Sequence, residues 1–265
     1  LSRAILVGGT ERQKQEWLPK LASGELLVGI AITEPDIGSE TAAVQCKAAP
    51  AEGPNGPGFK INGAKAWATF AGRADVLALL VRTEADAGHR GLSLFIVPKE
   101  RSFDHKFEVG QPEGGKITGE AIPTPGYRGM HSYMLNFEDY FVPAENLVGE
   151  EEGRGRGSNL TLGGIQAGRL QTGGRALGVA QASLEKACQY TTQRVQFGQP
   201  ISEFQLTQYR IGHIATLIAA ARQFTYDVAR TMDPTGKAPL GPAMAKLFAS
   251  DIAVWASQEA QLLHG

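Results

Sequence analysis

The chain changes texture once along its length, and that single change restricts the folds open to it. From Leu27 to Gly149, short apolar runs alternate with clusters of Gly, Pro, Asn and Asp; beyond Gly149 such runs vanish and long amphipathic segments replace them. Residues 28–33, 44–49, 59–62, 65–69, 76–82, 92–97 and 134–142 are strand candidates, and Asn62-Gly63 carries the signal of a hairpin turn. Seven short strands at this spacing predict an antiparallel sandwich or barrel. Residues 158–193, 203–232 and 241–264 have helical periodicity. Leu206, Ile214, Leu217, Ile218, Ala221 and Val228 form the stripe of the second. Met244, Leu247, Phe248, Ile252, Trp255, Leu262 and Leu263 form that of the third. The break at Asp233-Pro234-Thr235-Gly236, with Pro239 after it, makes these two helices antiparallel neighbours. The fold class is therefore α+β, a central antiparallel β domain followed by an antiparallel helical bundle.

The boundaries follow from the same texture. Thr10-Glu11-Arg12-Gln13 fits a capping box, and the helix it opens should end near Ala22, with Pro19 bending it and Gly24 stopping it. Residues 1–26 then read as the end of a helical domain, 27–149 as the β domain and 150–265 as the first part of a second helical domain. Gly153-Arg154-Gly155-Arg156-Gly157 reads as a flexible linker, and Glu150-Glu151-Glu152 as a solvated loop. The chain starts without Met in what resembles a helix tail and stops on an apolar stripe. The expectation is a piece of a longer subunit.

Composition removes several function classes. With 265 residues, 42% of them hydrophobic, the chain can bury a core and hold more than one domain. A formal net charge of -1 gives no footprint for nucleic acid, although a pocket for one phosphate-bearing ligand remains open. Cys46 and Cys188 lie far apart with no metal-type spacing and read as reduced thiols. With neither a membrane-length apolar run nor a signal-peptide pattern, the expected location is cytoplasmic.

Two runs carry chemistry. Thr33-Glu34-Pro35-Asp36-Ile37-Gly38-Ser39-Glu40 fixes a turn with hydroxyls and backbone N–H groups around it, suited to an anion or a polar heteroaromatic ring. In Asn62-Gly63-Ala64-Lys65-Ala66-Trp67-Ala68-Thr69 an indole precedes a hydroxyl by two residues on one extended strand, so Trp67 and Thr69 share a side and can hold a planar ring. The competing reading of Trp67 is a core aromatic. Glu34 and Glu40 read as turn residues, and Asp139 as part of a surface turn.

In this order and spacing the motifs resemble the FAD-dependent acyl-CoA dehydrogenase family. The likeness runs from Gly9-Thr10-Glu11-Arg12-Gln13-Lys14 and Leu18-Pro19-Lys20-Leu21-Ala22-Ser23-Gly24-Glu25 through the two runs above. It continues in Phe137-Glu138-Asp139-Tyr140-Phe141-Val142-Pro143, Arg194-Val195-Gln196-Phe197-Gly198-Gln199-Pro200-Ile201 and Phe204-Gln205. The resemblance implies that Ile30, Ile32, Thr33, Trp67 and Thr69 line the flavin and that Ser39 meets both cofactor and acyl-CoA. It further implies that Arg194, Phe197 and Gln205 reach the FAD of a neighbouring subunit, together with the 261–265 run that includes Gln261 and Gly265. The cofactor site is then shared within a homodimer or homotetramer, with an electron-transfer flavoprotein as electron acceptor. Arg169 falls where the family has an Asp-x-x-Arg element for CoA, but Gln166 replaces the Asp, so Arg169 serves either CoA or helix packing.

The implied reaction is α,β-desaturation of an acyl-CoA thioester, which needs a carboxylate to take the α proton. No residue of the chain matches a catalytic position. Where one branch of the family keeps the base, this chain has Gly168. Either the base lies beyond residue 265, as unburied apolar stripes favour, or the protein has no dehydrogenase base. An acyl-CoA oxidase, a flavin monooxygenase and a non-catalytic flavin-binding protein are the alternatives on the same scaffold. Straight, branched and steroid acyl groups all stay open.

Overall fold

The computed structural model describes residues 1–112, 114–126, 129–232 and 240–265. Two compact units divide the chain, Leu1–Gly164 and Ile165–Gly265. Helices α1 (Ser2–Gly8) and α2 (Glu11–Ser23) lead into strands β1 (Val28–Ala31), β2 (Lys47–Gly53), β3 (Gly56–Thr69), β4 (Val76–Arg82), β5 (Leu92–Pro98), β6 (Lys106–Gly110), β7 (Lys116–Ala121) and β8 (Ser132–Pro143). Then follow α3 (Glu150–Gly153), α4 (Gly157–Gln193), the short strands β9 (Val195–Gln196) and β10 (Gln199–Pro200), α5 (Gln205–Thr231) and α6 (Leu240–His264). The class is α+β, as expected. Among the described residues no helix is long and apolar enough to cross a membrane.

The sheet runs β1-β4-β2-β3-β8-β7-β6, with β5 on the other side of β4. Most pairs are antiparallel, but β1 lies parallel to β4, and β2 meets β4 in parallel at Lys47 and Arg82. The β4 sequence Val-Leu-Ala-Leu-Leu-Val is apolar throughout because both of its faces are buried. Leu77, Leu79 and Val81 enter a core with Phe59, Ile61, Phe95 and Phe137, whereas Val76 and Ala78 pack with Ile5 and Trp17 from the two leading helices. A period of two thus builds two cores from one strand.

Capping of α2 is as the sequence predicts. Thr10 Oγ1 accepts from Gln13 N, and the Gln13 side chain reaches back to Thr10 N. Gly24, in the left-handed region, ends the helix one residue beyond the predicted limit. Gln13 does more than cap: buried, it donates to the carbonyls of Glu145 and Leu147 and accepts from Gly149 N, pinning the exit of β8 to the second helix.

Several expectations are corrected. Asn62-Gly63 is no hairpin turn: β3 runs straight through it, and residues 59–62 and 65–69 are one strand. Its pairing with β8 slips there, with the extra residue on β8, so Gly63, at φ +135°, sits opposite a bulge, and a Cβ added to it would fall 2.7 Å from Cys46 Cα. The hairpin turn lies instead at Gly53–Gly56. Asp139 belongs to β8 rather than to a surface turn, and its backbone N–H and carboxylate exchange hydrogen bonds with the Asn62 amide across the bulge. Strands β6 and β7 were not predicted, since Lys, Glu and Gly interrupt their apolar pattern.

The 153–157 run is not a flexible linker. A Cβ on Gly153 would meet the Val148 carbonyl, one on Gly155 the Arg90 carbonyl, and one on Gly157 the Ser93–Leu94 backbone, so these glycines allow backbone to press on backbone. Glu150-Glu151-Glu152 forms α3 rather than a loop, with Glu150 bonded to Thr10 and Arg12.

In the second unit Leu177, Ala180, Ile214, Ile218, Ala221, Ala249, Ile252 and Ala256 form the core. Contacts of Arg210 with Glu259, His213 with Trp255 and Phe224 with Phe248 run in opposite chain directions, so α5 and α6 are antiparallel neighbours. The 233–239 break proposed between them lies outside the described residues. Helix α6 buries Ala245, Ala249, Ala253, Ala256 and Ala260, leaving Met244, Leu247 and Leu262 exposed.

Candidate functional site

The two runs singled out in the sequence are brought together by a buried ion pair. Lys65 Nζ, with no solvent exposure, lies 2.9 Å from Glu34 Oε1, itself 6% exposed, and also donates to the Ile32 carbonyl at 3.0 Å. The Glu34 carboxylate accepts from Gln45 N at 2.8 Å and Cys46 N at 2.9 Å. Every strong polar group of the pair is thus met inside the protein, which such burial demands. Glu34 is therefore an interior anchor, not simply a turn residue, although its backbone also closes a turn with Ile37. Burial pulls the Lys65 ammonium below the usual lysine range against the opposing pull of Glu34, and pushes the neighbouring Cys46 thiol up to about 12. At that value the thiol is protonated and inert at neutral pH.

The same lysine marks a second irregularity of β3. Lys65 pairs with Leu135, but Ala68 pairs with Tyr133, so one extra residue is inserted. Lys65 and Ala66 are both buried in succession, and Trp67 adopts φ +57°, a rare conformation for a bulky residue. The bulge turns the indole outward, leaving it 56% exposed, so the core-aromatic reading is excluded. Thr69 is exposed on the same strand end and its hydroxyl lies 3.2 Å from that of Ser132. Ala66 N donates to the Thr33 carbonyl at 2.8 Å, which places Ile32 and Thr33 alongside the bulge. Ile30 projects from β1 with 51% exposure. Trp67, Pro35, Ile122 and Met134 line a cleft in this unit. Ser39 stands exposed in a bend beyond the Glu34–Ile37 turn. This unit thus exposes an indole, a hydrogen-bonded hydroxyl pair and a tethered polar turn, groups of the kind that can hold a planar heteroaromatic ring.

The second unit gathers its own set. Phe197 at φ +53° and Gly198 at φ +82° form the two-residue turn between β9 and β10, with the signs of a type I′ hairpin. Phe197 is 95% exposed at its tip and touches Phe204 edge to face. Arg194, exposed, opens the hairpin, and its carbonyl accepts from Ile201 N; Gln205 begins α5 just beyond. Tyr190 stacks on His264 with ring centres 4.4 Å apart, which brings the Gln261–Gly265 end of α6 to the Arg194 end of α4. Arg194, Phe197, Gln205, Gln261 and Gly265 therefore occupy one end of this unit. Arg169 lies exposed on α4, well before that end, and Gly168 beside it carries no side chain.

Comparison with known proteins identifies the family. Residues 29–140 match the acyl-CoA dehydrogenase middle domain, and residues 155–265 match the acyl-CoA dehydrogenase C-terminal domain. The chain belongs to the acyl-CoA dehydrogenase family. It is 38% identical over 262 residues to the (2S)-methylsuccinyl-CoA dehydrogenase of Cereibacter sphaeroides, covering 98% of this chain and 46% of that protein. An acyl-CoA dehydrogenase of Bacillus subtilis (strain 168) is 35% identical over 261 residues, 98% of this chain and 64% of that protein. The solved butyryl-CoA dehydrogenase of Megasphaera elsdenii superimposes with a TM-score of 0.87 at 31% identity, over 100% of this chain and 64% of that one. The chain thus spans about half to two thirds of the length of these acyl-CoA dehydrogenases.

Sequence reasoning named the surface residues as candidates but missed the Lys65–Glu34 pair beneath them. The available signal was a Lys flanked by apolar and small residues within a strand, Ala64-Lys65-Ala66-Trp67.

Proposed function

We propose that this chain forms the flavin-holding part of an enzyme that oxidises an acyl-CoA thioester to the trans-2-enoyl-CoA. The observation that carries the reading is the bulge at Trp67, which spends an unfavourable backbone conformation on presenting an indole to solvent. FAD, when bound, supplies the hydride acceptor for the β hydrogen of the acyl group. The residues of the chain do the holding: the Trp67 face shields one side of the ring, the Thr69 hydroxyl offers a hydrogen bond, and Ile30, Ile32 and Thr33 flank it. Ser39 serves both cofactor and thioester. Arg194 matches a pyrophosphate as a planar cation, and with Phe197, Gln205, Gln261 and Gly265 it serves the cofactor of a neighbouring subunit in a homodimer or homotetramer. Arg169 serves CoA. No residue of this chain is assigned the α proton, because Gly168 cannot accept one. An electron-transfer flavoprotein is the proposed acceptor of the electrons.

The test is made on the purified enzyme of which this chain is the flavin-holding part, with added FAD. Gel filtration should leave flavin bound, and anaerobic addition of straight, branched and dicarboxylic acyl-CoA thioesters should bleach its visible absorption with one of them. Failure to retain any FAD would sink the reading. Bleaching followed by rapid peroxide formation in air would replace the dehydrogenase with an oxidase.

A further inference from the structure

We infer that Lys65 and Glu34 are positioning residues for the flavin, a single buried clamp that sets both surfaces against which the ring lies; this rests on the flavin reading above. The first surface is the 32–33 backbone. Peptide units are planar and trans, so the N–H of Thr33 points opposite to the Ile32 carbonyl within the same unit. Lys65 Nζ holds that carbonyl from the interior at 3.0 Å. The N–H of Thr33 is therefore aimed away from the buried ammonium. The next carbonyl, of Thr33, is held by Ala66 N at 2.8 Å, and Glu34 N is closed onto the Ile37 carbonyl at 2.9 Å. Two consecutive peptide planes are thus fixed by interior partners, so the segment is ordered before any ligand arrives.

The second surface is the indole. Regular alternation along β3 would make Lys65 and Trp67 share a face. Instead Lys65 is anchored inward and the chain spends one extra residue before pairing resumes at Ala68, which leaves Trp67 outside. The anchor and the bulge are therefore one device. Its other end is equally rigid: Glu34 is held by the Gln45 and Cys46 N–H groups, and Cys46 is pressed against Gly63 too closely for any Cβ there.

The decisive variant is the double substitution Lys65→Met with Glu34→Gln, which removes both charges at similar volume, assayed by FAD titration, visible spectrum and flavin midpoint potential. If the clamp positions the flavin, FAD affinity falls at least tenfold and the shape of the visible band changes in the flavin that still binds, while far-UV circular dichroism is unchanged. Wild-type affinity, spectrum and potential in a folded double variant would overturn the inference. Should that variant yield no soluble protein, Glu34→Gln alone decides, since Lys65 keeps its hold on Ile32 but loses its counter-charge. A loss of about threefold or more in affinity with a shifted potential supports the clamp, and wild-type values overturn it. Wild-type protein that binds no FAD at all would refute the flavin reading itself, which separates the two failures.

Discussion

The two groups of candidate cofactor residues are held in place by opposite means. In the first unit, the surface of Trp67, Thr69 and Thr33 is fixed from beneath by a buried ion pair, a close glycine contact and a strand bulge. In the second, Arg194 and Phe197 stand on a two-residue hairpin whose tip is almost entirely in solvent. The contrast separates preorganisation from presentation: one surface is shaped by the interior of its own unit, whereas the other gains burial only when something docks on it. Substitutions beneath the first should cost stability and binding together. Substitutions in the second should cost binding alone.

The largest effect is expected from Lys65→Met by itself. It strands the Glu34 carboxylate in the interior with its two backbone donors but no cation, and breaking one side of a buried pair costs about 3–5 kcal/mol. Urea denaturation should show this loss, and adding Glu34→Gln should recover most of it. Equal stability of the single and double variants would mean that the pair is not coupled, and the first surface would lose its claim to interior control. Gly63→Ala comes next. The substituted residue must keep φ +135° and place a methyl 2.7 Å from Cys46 Cα, so a loss of roughly 2–3 kcal/mol is expected. A neutral outcome would show that the bulge relaxes freely.

A pH comparison sharpens the role of buried cations in the same unit. Lys99 donates to the Gly72 and Glu100 carbonyls from a buried position, and burial pulls its ammonium down to about 8 from 10.5. Between those values the unfolded chain holds a proton that the folded one has released, so the group makes stability rise with pH in that window. Replacing Lys99 with Met removes this slope. The stability of wild type relative to Lys99→Met should therefore improve from about pH 7 to about pH 9.5, by denaturation at each pH. A constant difference would mean that Lys99 keeps its ordinary value in the fold.

The division between the two surfaces also explains what could be read in the sequence. Thr10 and Gln13 were legible because a capping box is local chemistry, as were the three long helices, whose periodicity extends over many turns. Trp67 and Thr69 are both exposed with Ala68 buried between them, but the alternation argument that paired them does not hold at Trp67, which is not extended. Asn62-Gly63 misled because a positive φ serves a bulge as well as a hairpin turn, and only the distant partner strand β8 decides between them. The Lys65–Glu34 pair was illegible for a related reason. Charged residues are expected outside, and the burial of each is made tolerable by the other from 31 positions away. Helix α6 shows the same limit, because alanines make up most of its core face beside Ile252, while Met244, Leu247 and Leu262 stay exposed.

The smallest effect on stability, and the sharpest test of the contrast, belongs to Phe197. Its ring meets Phe204 at a centroid distance of 6.3 Å and is otherwise in solvent, so truncation removes little buried area. Ala retains the positive φ demanded by the hairpin, leaving the turn no more strained than before. Phe197→Ala should therefore change the unfolding free energy by less than about 0.5 kcal/mol, as surface substitutions usually do. If the hairpin serves the cofactor of a neighbouring subunit, the same variant should bind FAD several-fold more weakly, with the loss appearing only at protein concentrations where the oligomer forms. Trp67→Ala, by contrast, should weaken FAD binding at every protein concentration. A Phe197 variant that loses stability, or one whose FAD loss does not depend on protein concentration, would place the two surfaces in the same class and remove the distinction between them.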